Sequence, residues 1–327
     1  MHARRRSLLL AGSAAAALAA FSAVPGARAP RAQERRYDTI DIDALDAARG
    51  RPVPMRLYLP RIASAARPVP LVAFSHGIGG SRAGYGWLGT HWADEGIASL
   101  HVQHVGSDRS LWGAGSPFAL VERLQTAARA DEAVARVHDL RFALDTVLGD
   151  ALGERLDADR IVAAGHSYGA NTVLLAAGAR VERDGRPVEL ADPRIRAAIA
   201  ISAPPFYGES SPGPILASVR LPSLHVTSTE DVIRIPGYWS GAEDRVAVFD
   251  AIGSERKVLA VFAGGSHSMF TDRAASGGLQ LNARVKAATR ELTVAFLRDT
   301  LDGDDGGALR EWPRRHASIL ARFVAPA

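Results

Sequence analysis

Residues 165 to 169, Gly-His-Ser-Tyr-Gly, set a serine between two glycines. The stretch "RIVAAGH" before them reads as a buried strand, and "YGANTVLLAAGA" after them as a helix. A strand that turns sharply into a helix lifts its corner residue above the sheet, and its neighbours there must be very small. Gly165 and Gly169 meet that demand. Such a corner exposes the Ser167 hydroxyl and aims the Tyr168 N–H, at a helix start, toward developing negative charge. A serine hydroxyl is a weak nucleophile at neutral pH, so it requires a base to take its proton and a carboxylate to orient that base. Three histidines follow Ser167: His225 inside the apolar run "PSLHVTST", His316 near the C-terminus, and His267 in "VLAVFAGGSHSMF". His267 alone occupies a loop at a strand's end and is the candidate base. His225 reads as a core or strand-face histidine and His316 as a surface one. For the acid, "TSTEDVIRIPG" ends a strand with Glu230 and Asp231 side by side. Adjacent residues on an extended segment point opposite ways, so one of the two faces His267. Asp231 is the choice and Glu230 the alternative, with Asp244 and Asp250, on a predicted helix, weaker.

Other polar residues invite chemistry less strongly. His101 and His104 have a metal-like spacing, but three residues along a strand put the two rings on opposite faces, so no metal site is expected. His76, ahead of the serine in the chain, is read as bracing a loop. Residues 105–118, with Trp112 and Phe118, and 203–218, with Phe206 and Tyr207, are long irregular stretches that either rim a substrate cleft or seal the core beneath surface loops. Neither is long enough for a large helical lid, which suggests a fairly open pocket.

These residues need a scaffold, and the chain supplies an alternating one. "RYDTIDI" and "PMRLYLP" read as paired strands around the turn "DAARGRP", and "PVPLVAFSHG" follows as a near-continuous apolar strand. Thereafter helices at 85–95, 119–148 and 168–178 alternate with strands at "IASLHVQH", "RIVAAGH", 195–201, 223–229 and 257–263. Continuous apolar runs alternating with helices predict a mostly parallel central sheet of about eight strands with helices on both faces. One domain over 36–302 is the simplest division. The glycine-rich break "DGDDGG" precedes a C-terminal helical extension over 303–327.

The N-terminus stands apart. Residues 1–29, "MHARRRSLLLAGSAAAALAAFSAVPGARA", join an arginine cluster, an apolar stretch and a small-residue end, the pattern of an export signal peptide. Arg5-Arg6-Ser7-Leu8-Leu9 favours the twin-arginine type over a general secretory signal. The apolar run is too short and too alanine-rich for a stable membrane anchor. A periplasmic or extracellular protein is expected. Removing that segment, which holds four arginines and no acid, leaves 35 basic against 35 acidic residues. A formally neutral mature chain argues against nucleic acid as a partner. With no cysteine in 327 residues, disulfides, thiolate metal sites and cysteine nucleophiles are excluded together.

The order Ser167, Asp231, His267 is one of the known triad orders. The segments "FSHGIGGSRAGYGWLG", "HVQHVGSD", "GHSYGAN", "TSTEDVIRIPGY" and "GGSHSMFTDR" resemble bacterial serine esterases of the α/β-hydrolase superfamily grouped with platelet-activating-factor acetylhydrolase and the predicted dienelactone hydrolases. The resemblance spans nearly all of 36–300. It implies an α/β-hydrolase fold, Ser167 as nucleophile, Asp231 as orienter, His267 as base, and the N–H groups of Ile78 and Tyr168 as an oxyanion hole. It implies a small-molecule or polymeric carboxylic ester as substrate and no cofactor. An amide or polyester hydrolase with the same triad, or a non-catalytic binding protein on the same fold, is the alternative. True dienelactone hydrolase uses a cysteine, absent here, so that enzyme's substrate does not transfer.

Overall fold

The computed structural model describes residues 35–326 except 184, 210 and 273–277. The expected signal peptide over 1–29 lies outside the described residues. The first hairpin pairs β1 (Tyr37–Asp46) with β2 (Arg51–Pro60) in full register, Tyr37 opposite Pro60 and Asp46 opposite Arg51. Next come β3 (Val69–Ser75), α1 (Gly86–Asp94), β4 (Ala98–Val102), α2 (Pro117–Ala127), α3 (Ala130–Gly149), β5 (Leu156–His166) and α4 (Tyr168–Ala176). A small ribbon, β6 (Val181–Arg183) with β7 (Arg186–Val188), precedes β8 (Ile195–Ile201), α5 (Pro212–Leu216) and β9 (Ser223–Glu230). A second ribbon, β10 (Ile233–Ile235) with β11 (Tyr238–Ser240), leads to α6 (Ala242–Ala251), β12 (Lys257–Ser266), α7 (Leu279–Leu301), α8 (Gly307–Arg315) and β13 (Leu320–Val324).

Nine strands form one sheet in the order β1-β2-β4-β3-β5-β8-β9-β12-β13. The six from β4 to β12 are mutually parallel, while β2 and β13 run against their neighbours. The period-2 alternation of a strand explains the two cores. On β3, Leu71 and Ala73 join a cluster with Leu140 and Leu144 of α3, Val173 and Leu174 of α4 and Val248 of α6. Val72 and Phe74 point the other way, to Leu88 and Trp92 of α1 and to Val285, Leu292 and Phe296 of α7. Both faces being covered, the strands carry continuous apolar runs.

Two expectations need correction. The long helix over 119–148 is two helices, because the chain leaves helical geometry at Arg129 (φ −68°, ψ 158°) and α2 turns away. Leu124 and Ala127 of α2 then pack with Leu111 in a small cluster of their own, against Ile78 and Ile235. The C-terminal segment is not helical throughout. After α8 it pairs Leu259↔Val324 and Phe262↔Leu320 with β12 and becomes the sheet's ninth strand. Burial decides this: Trp312, fully buried, sits against Phe262 and Phe323, and its Nε1 donates to Ala288 O at 2.9 Å.

Candidate active site

Five chain segments leave the sheet at the same end, after β3, β5, β8, β9 and β12, and each delivers one part of the site. At the end of β5 the chain reverses at Ser167, whose backbone (φ 55°, ψ −125°) lies in the left-handed half of conformational space. The corner is held by Ser167 N–H donating to Ile201 O at 2.9 Å. A Cβ on Gly165 would lie 2.3 Å from Gly169 O, and one on Gly169 only 1.9 Å from Ser75 O. Both glycines are therefore demanded by close approach.

Ser167 Oγ lies 2.8 Å from His267 Nε2, and His267 Nδ1 lies 2.7 Å from Asp231 Oδ1. Since a carboxylate only accepts, Nδ1 carries the proton and Nε2 is left to accept from the serine hydroxyl. Asp231 is fully buried and also accepts from Thr227 Oγ1 at 2.7 Å and from Ser202 Oγ, with Arg245 Nε 3.5 Å away. Burial alone raises the Asp231 carboxyl, but His267, then Arg245 and Ser202, outweigh it and hold the group well below the ordinary carboxylate range. Glu230, the alternative acid, is exposed.

Sequence reasoning missed the layer behind this chain of bonds. The His166 ring lies against that of His267, tilted by 35° with ring centres 4.9 Å apart, and its Nε2 is 3.1 Å from His267 O. A carbonyl only accepts, so Nε2 is the protonated nitrogen, and Nδ1 accepts from the Tyr85 hydroxyl at 2.8 Å. Burial, helped by the neighbouring His267, pushes His166 down to about 3, so the ring stays neutral. The non-glycine residues with positive φ among the described residues are Tyr85, Ser167 and Ser202, and each belongs to this site. Strained backbone gathers where surrounding structure over-determines it. No local signal marks Tyr85 or Ser202.

Ile78 and Tyr168 both line the cavity with Ser167 and His267. Their N–H groups take no backbone partner among the described residues, whereas Gly79 N–H is engaged by Ser107 O at 2.8 Å. His76 braces this loop as expected. Its Nε2 accepts from His104 N–H at 3.1 Å, so Nδ1 donates to Gly77 O at 2.7 Å. The cavity, about 530 Å³, is walled by Trp112, Phe206, Tyr207, Leu124 and Tyr238, so both irregular stretches do rim it. Helix α2 joins them.

A second Ser–His–Asp chain lies behind the first. Ser75 Oγ is 2.9 Å from His104 Nε2, and His104 Nδ1 is 3.1 Å from Asp139 Oδ2. All three side chains are fully buried and none lines the cavity. Arg51 and Arg49 reach Asp139 at 2.9 Å, and Asp139 sits at about 2, burial being outweighed by His104 and Arg51. Burial and then Arg136 push His104 down to about 4. With no route for a substrate, this chain serves the fold. His225 is buried in β9, and His316 pairs with Glu291 at 3.0 Å. Among the described residues, no group of three or more His, Asp or Glu side chains is placed to hold a metal, and no helix is long and apolar enough to cross a membrane.

No protein-family model matches the chain, and no curated protein matches it. Among solved structures, it is similar to a ferulic acid esterase from Streptomyces cinnamoneus, with a TM-score of 0.64 and 22% identity over 90% of this chain and 98% of that one. The chain has the α/β-hydrolase fold. Within that fold the strand order places Ser167 after β5 at the centre of the sheet, with Asp231 and His267 just past β9 and β12, the adjacent parallel strands beyond β8 on one side.

Proposed function

We propose that the protein is an exported serine hydrolase that cleaves carboxylic esters through Ser167, His267 and Asp231. The observation that carries the reading is that the hydrogen-bonded pair Ser167–His267 opens onto a cavity while Asp231 closes the chain of bonds from the buried side. As Ser167 Oγ attacks the acyl carbon, His267 Nε2 takes its proton and Asp231 stabilises the imidazolium. The N–H groups of Ile78 and Tyr168 receive the negative charge that gathers on the carbonyl oxygen. Collapse expels the alcohol, which takes the proton from His267, and leaves an acyl-serine. Water then attacks with His267 as base, the tetrahedral intermediate collapses, and the acid departs as Ser167 regains its proton.

The motif resemblance to the acetylhydrolase and dienelactone-hydrolase-like esterases supports this assignment, as does the fold shared with the ferulic acid esterase. A cavity of about 530 Å³ with tryptophan, tyrosine and phenylalanine walls suits an ester of medium size with an apolar or aromatic part. Residues 1–29 support export to the periplasm or beyond.

The test is turnover of short and medium 4-nitrophenyl esters by the purified protein beside Ser167→Ala, with fluorophosphonate labelling and peptide mapping. We expect label on Ser167 and a loss of kcat in the variant on the order of 10⁴-fold or more. A wild type that neither turns over esters nor takes the label would make a binding role the better reading.

A further inference from the structure

Helix α3 carries a fully buried charged side chain, Arg136, for which the described residues provide no carboxylate at ion-pair distance. Its guanidinium is instead satisfied by neutral groups. Nε donates to Thr172 Oγ1 at 3.0 Å, Nη1 to Ser107 Oγ at 2.7 Å, and Nη2 to Ser75 Oγ at 3.1 Å and to His76 O. The plane lies over the Tyr168 ring, its carbon 4.5 Å from the ring centre. Burying a cation with no carboxylate in direct contact is costly, and here it is met by neutral acceptors with Glu132 and Asp139 farther off.

The partners fall into two sets. Ser75 and His76 lead into the loop that presents Ile78 N–H, and Ser107 holds the same loop from behind, because its carbonyl binds Gly79 N–H. Tyr168 and Thr172 belong to the first turn and a half of α4, whose first N–H is that of Tyr168. Thr172 Oγ1 in turn donates to Tyr168 O at 3.1 Å. The two sets meet at the nucleophile, where a Cβ on Gly77 would lie 3.2 Å from Ser167 Cβ. Donors aimed at an oxyanion act only when fixed at the right place before charge develops, and a few tenths of an ångström matter. One rigid planar group bonded to both supports fixes their separation. A lysine, a point charge on a flexible stem, cannot.

We propose that Arg136 is a positioning residue for ester cleavage, setting the spacing of the Ile78 and Tyr168 N–H donors and placing its charge on the protein side of the developing oxyanion. The inference rests on the ester-hydrolase reading above. Burial lowers the guanidinium only to about 10, partly offset by Tyr168, Glu132 and Asp139, so the charge is present at neutral pH.

The variants Arg136→Met, Arg136→Lys and Thr172→Val test it, with thermal melts to score folding and an alkyl trifluoromethyl ketone as a reversible probe that forms a tetrahedral oxyanion on the serine. Arg136→Met and Arg136→Lys should lose kcat on the order of 10²-fold with KM within about twofold, and the ketone should weaken by the same factor as kcat/KM. Thr172→Val, which leaves the guanidinium in place, should shift both quantities in the same direction by about tenfold. A merely structural role would lower the melting temperature or the active fraction and leave kcat per labelled serine and ketone affinity alone. Folded Arg136→Met with wild-type kcat and ketone affinity overturns the proposal. Should neither Arg136 variant fold, unchanged values in Thr172→Val overturn it. Wild-type turnover is scored first: its absence sinks the parent reading, whereas turnover with insensitive variants sinks this one alone.

Discussion

Glu230 and Asp231 differ by one methylene and one position, yet the fold treats them oppositely. Glu230 ends β9 in solvent, while Asp231 turns under His267 with Thr227, Ser202 and Arg245 around it. Asp231→Asn keeps the shape but can offer His267 an N–H where it needs an acceptor, which favours the wrong tautomer. We expect kcat to fall by about 10⁴-fold with KM little changed, and Glu230→Gln to stay within a few-fold of wild type in the same assay. Comparable losses in both variants would count against the assignment of the acid. Ser167 and His267, the proposed nucleophile and base, could be picked out of the sequence because each sits near glycines that punctuate a strand's end. The acid was legible only to within two residues, since alternation says that they diverge and not which way. Tyr85, His166, Ser202, Arg245 and Arg136 were invisible as site residues. Tyr85, Ser202, Arg245 and Arg136 reach the site from other elements, and His166, though next to Ser167, carries no sign in the sequence that its ring turns onto His267.

At the scale of elements, the corner between β5 and α4 is the least forgiving part of the fold. Gly169→Ala would set a Cβ 1.9 Å from Ser75 O, which is backbone and cannot swing aside. We expect that variant to lose several kcal/mol or fail to fold. Gly149→Ala, at the end of α3 with nothing within 4 Å, should be neutral or stabilising by up to about 1 kcal/mol. Urea titrations of the two variants check the contrast, and equal effects would contradict it. The strand–helix alternation was readable because buried parallel strands and their helices have different periods. The break between α2 and α3 was not: Ala128 and Arg129 are ordinary helix formers, and the separation comes from α2 packing on Leu111 over the cavity. Nor was β13, whose "LARFV" continues a helical pattern locally and becomes a strand because the open edge of β12 offers it hydrogen bonds.

The whole molecule carries an acid liability. His76, His101, His104, His166 and His225 are buried and held neutral, each pushed down first by burial: His101 and His104 to about 4, His166 and His225 to about 3, and His76 well below its ordinary value. In the unfolded chain all five bind protons near pH 6.5. Above that pH neither state is protonated and stability is whole. Below it the unfolded chain gains protons that the folded one refuses, so stability is lost as pH falls toward the folded values, near 4 for His101 and His104 and near 3 for His166 and His225. Each group contributes up to about 1.4 kcal/mol per pH unit across its window. Asp139, at about 2, adds a loss in the same direction that begins only below the ordinary carboxylate value. The urea midpoint should therefore fall steeply between about pH 6 and 4, with proton uptake on unfolding approaching five. A flat midpoint from pH 7 to 4.5 would disprove it. Ser75, His104 and Asp139 give this liability another meaning. In a dry interior, hydroxyl to imidazole to carboxylate is one way to satisfy every donor and acceptor in line, so selection for stability alone can assemble such a row. Such a row is therefore no mark of catalysis by itself: what sets the first apart from the second is that it opens onto a cavity with N–H groups beside it.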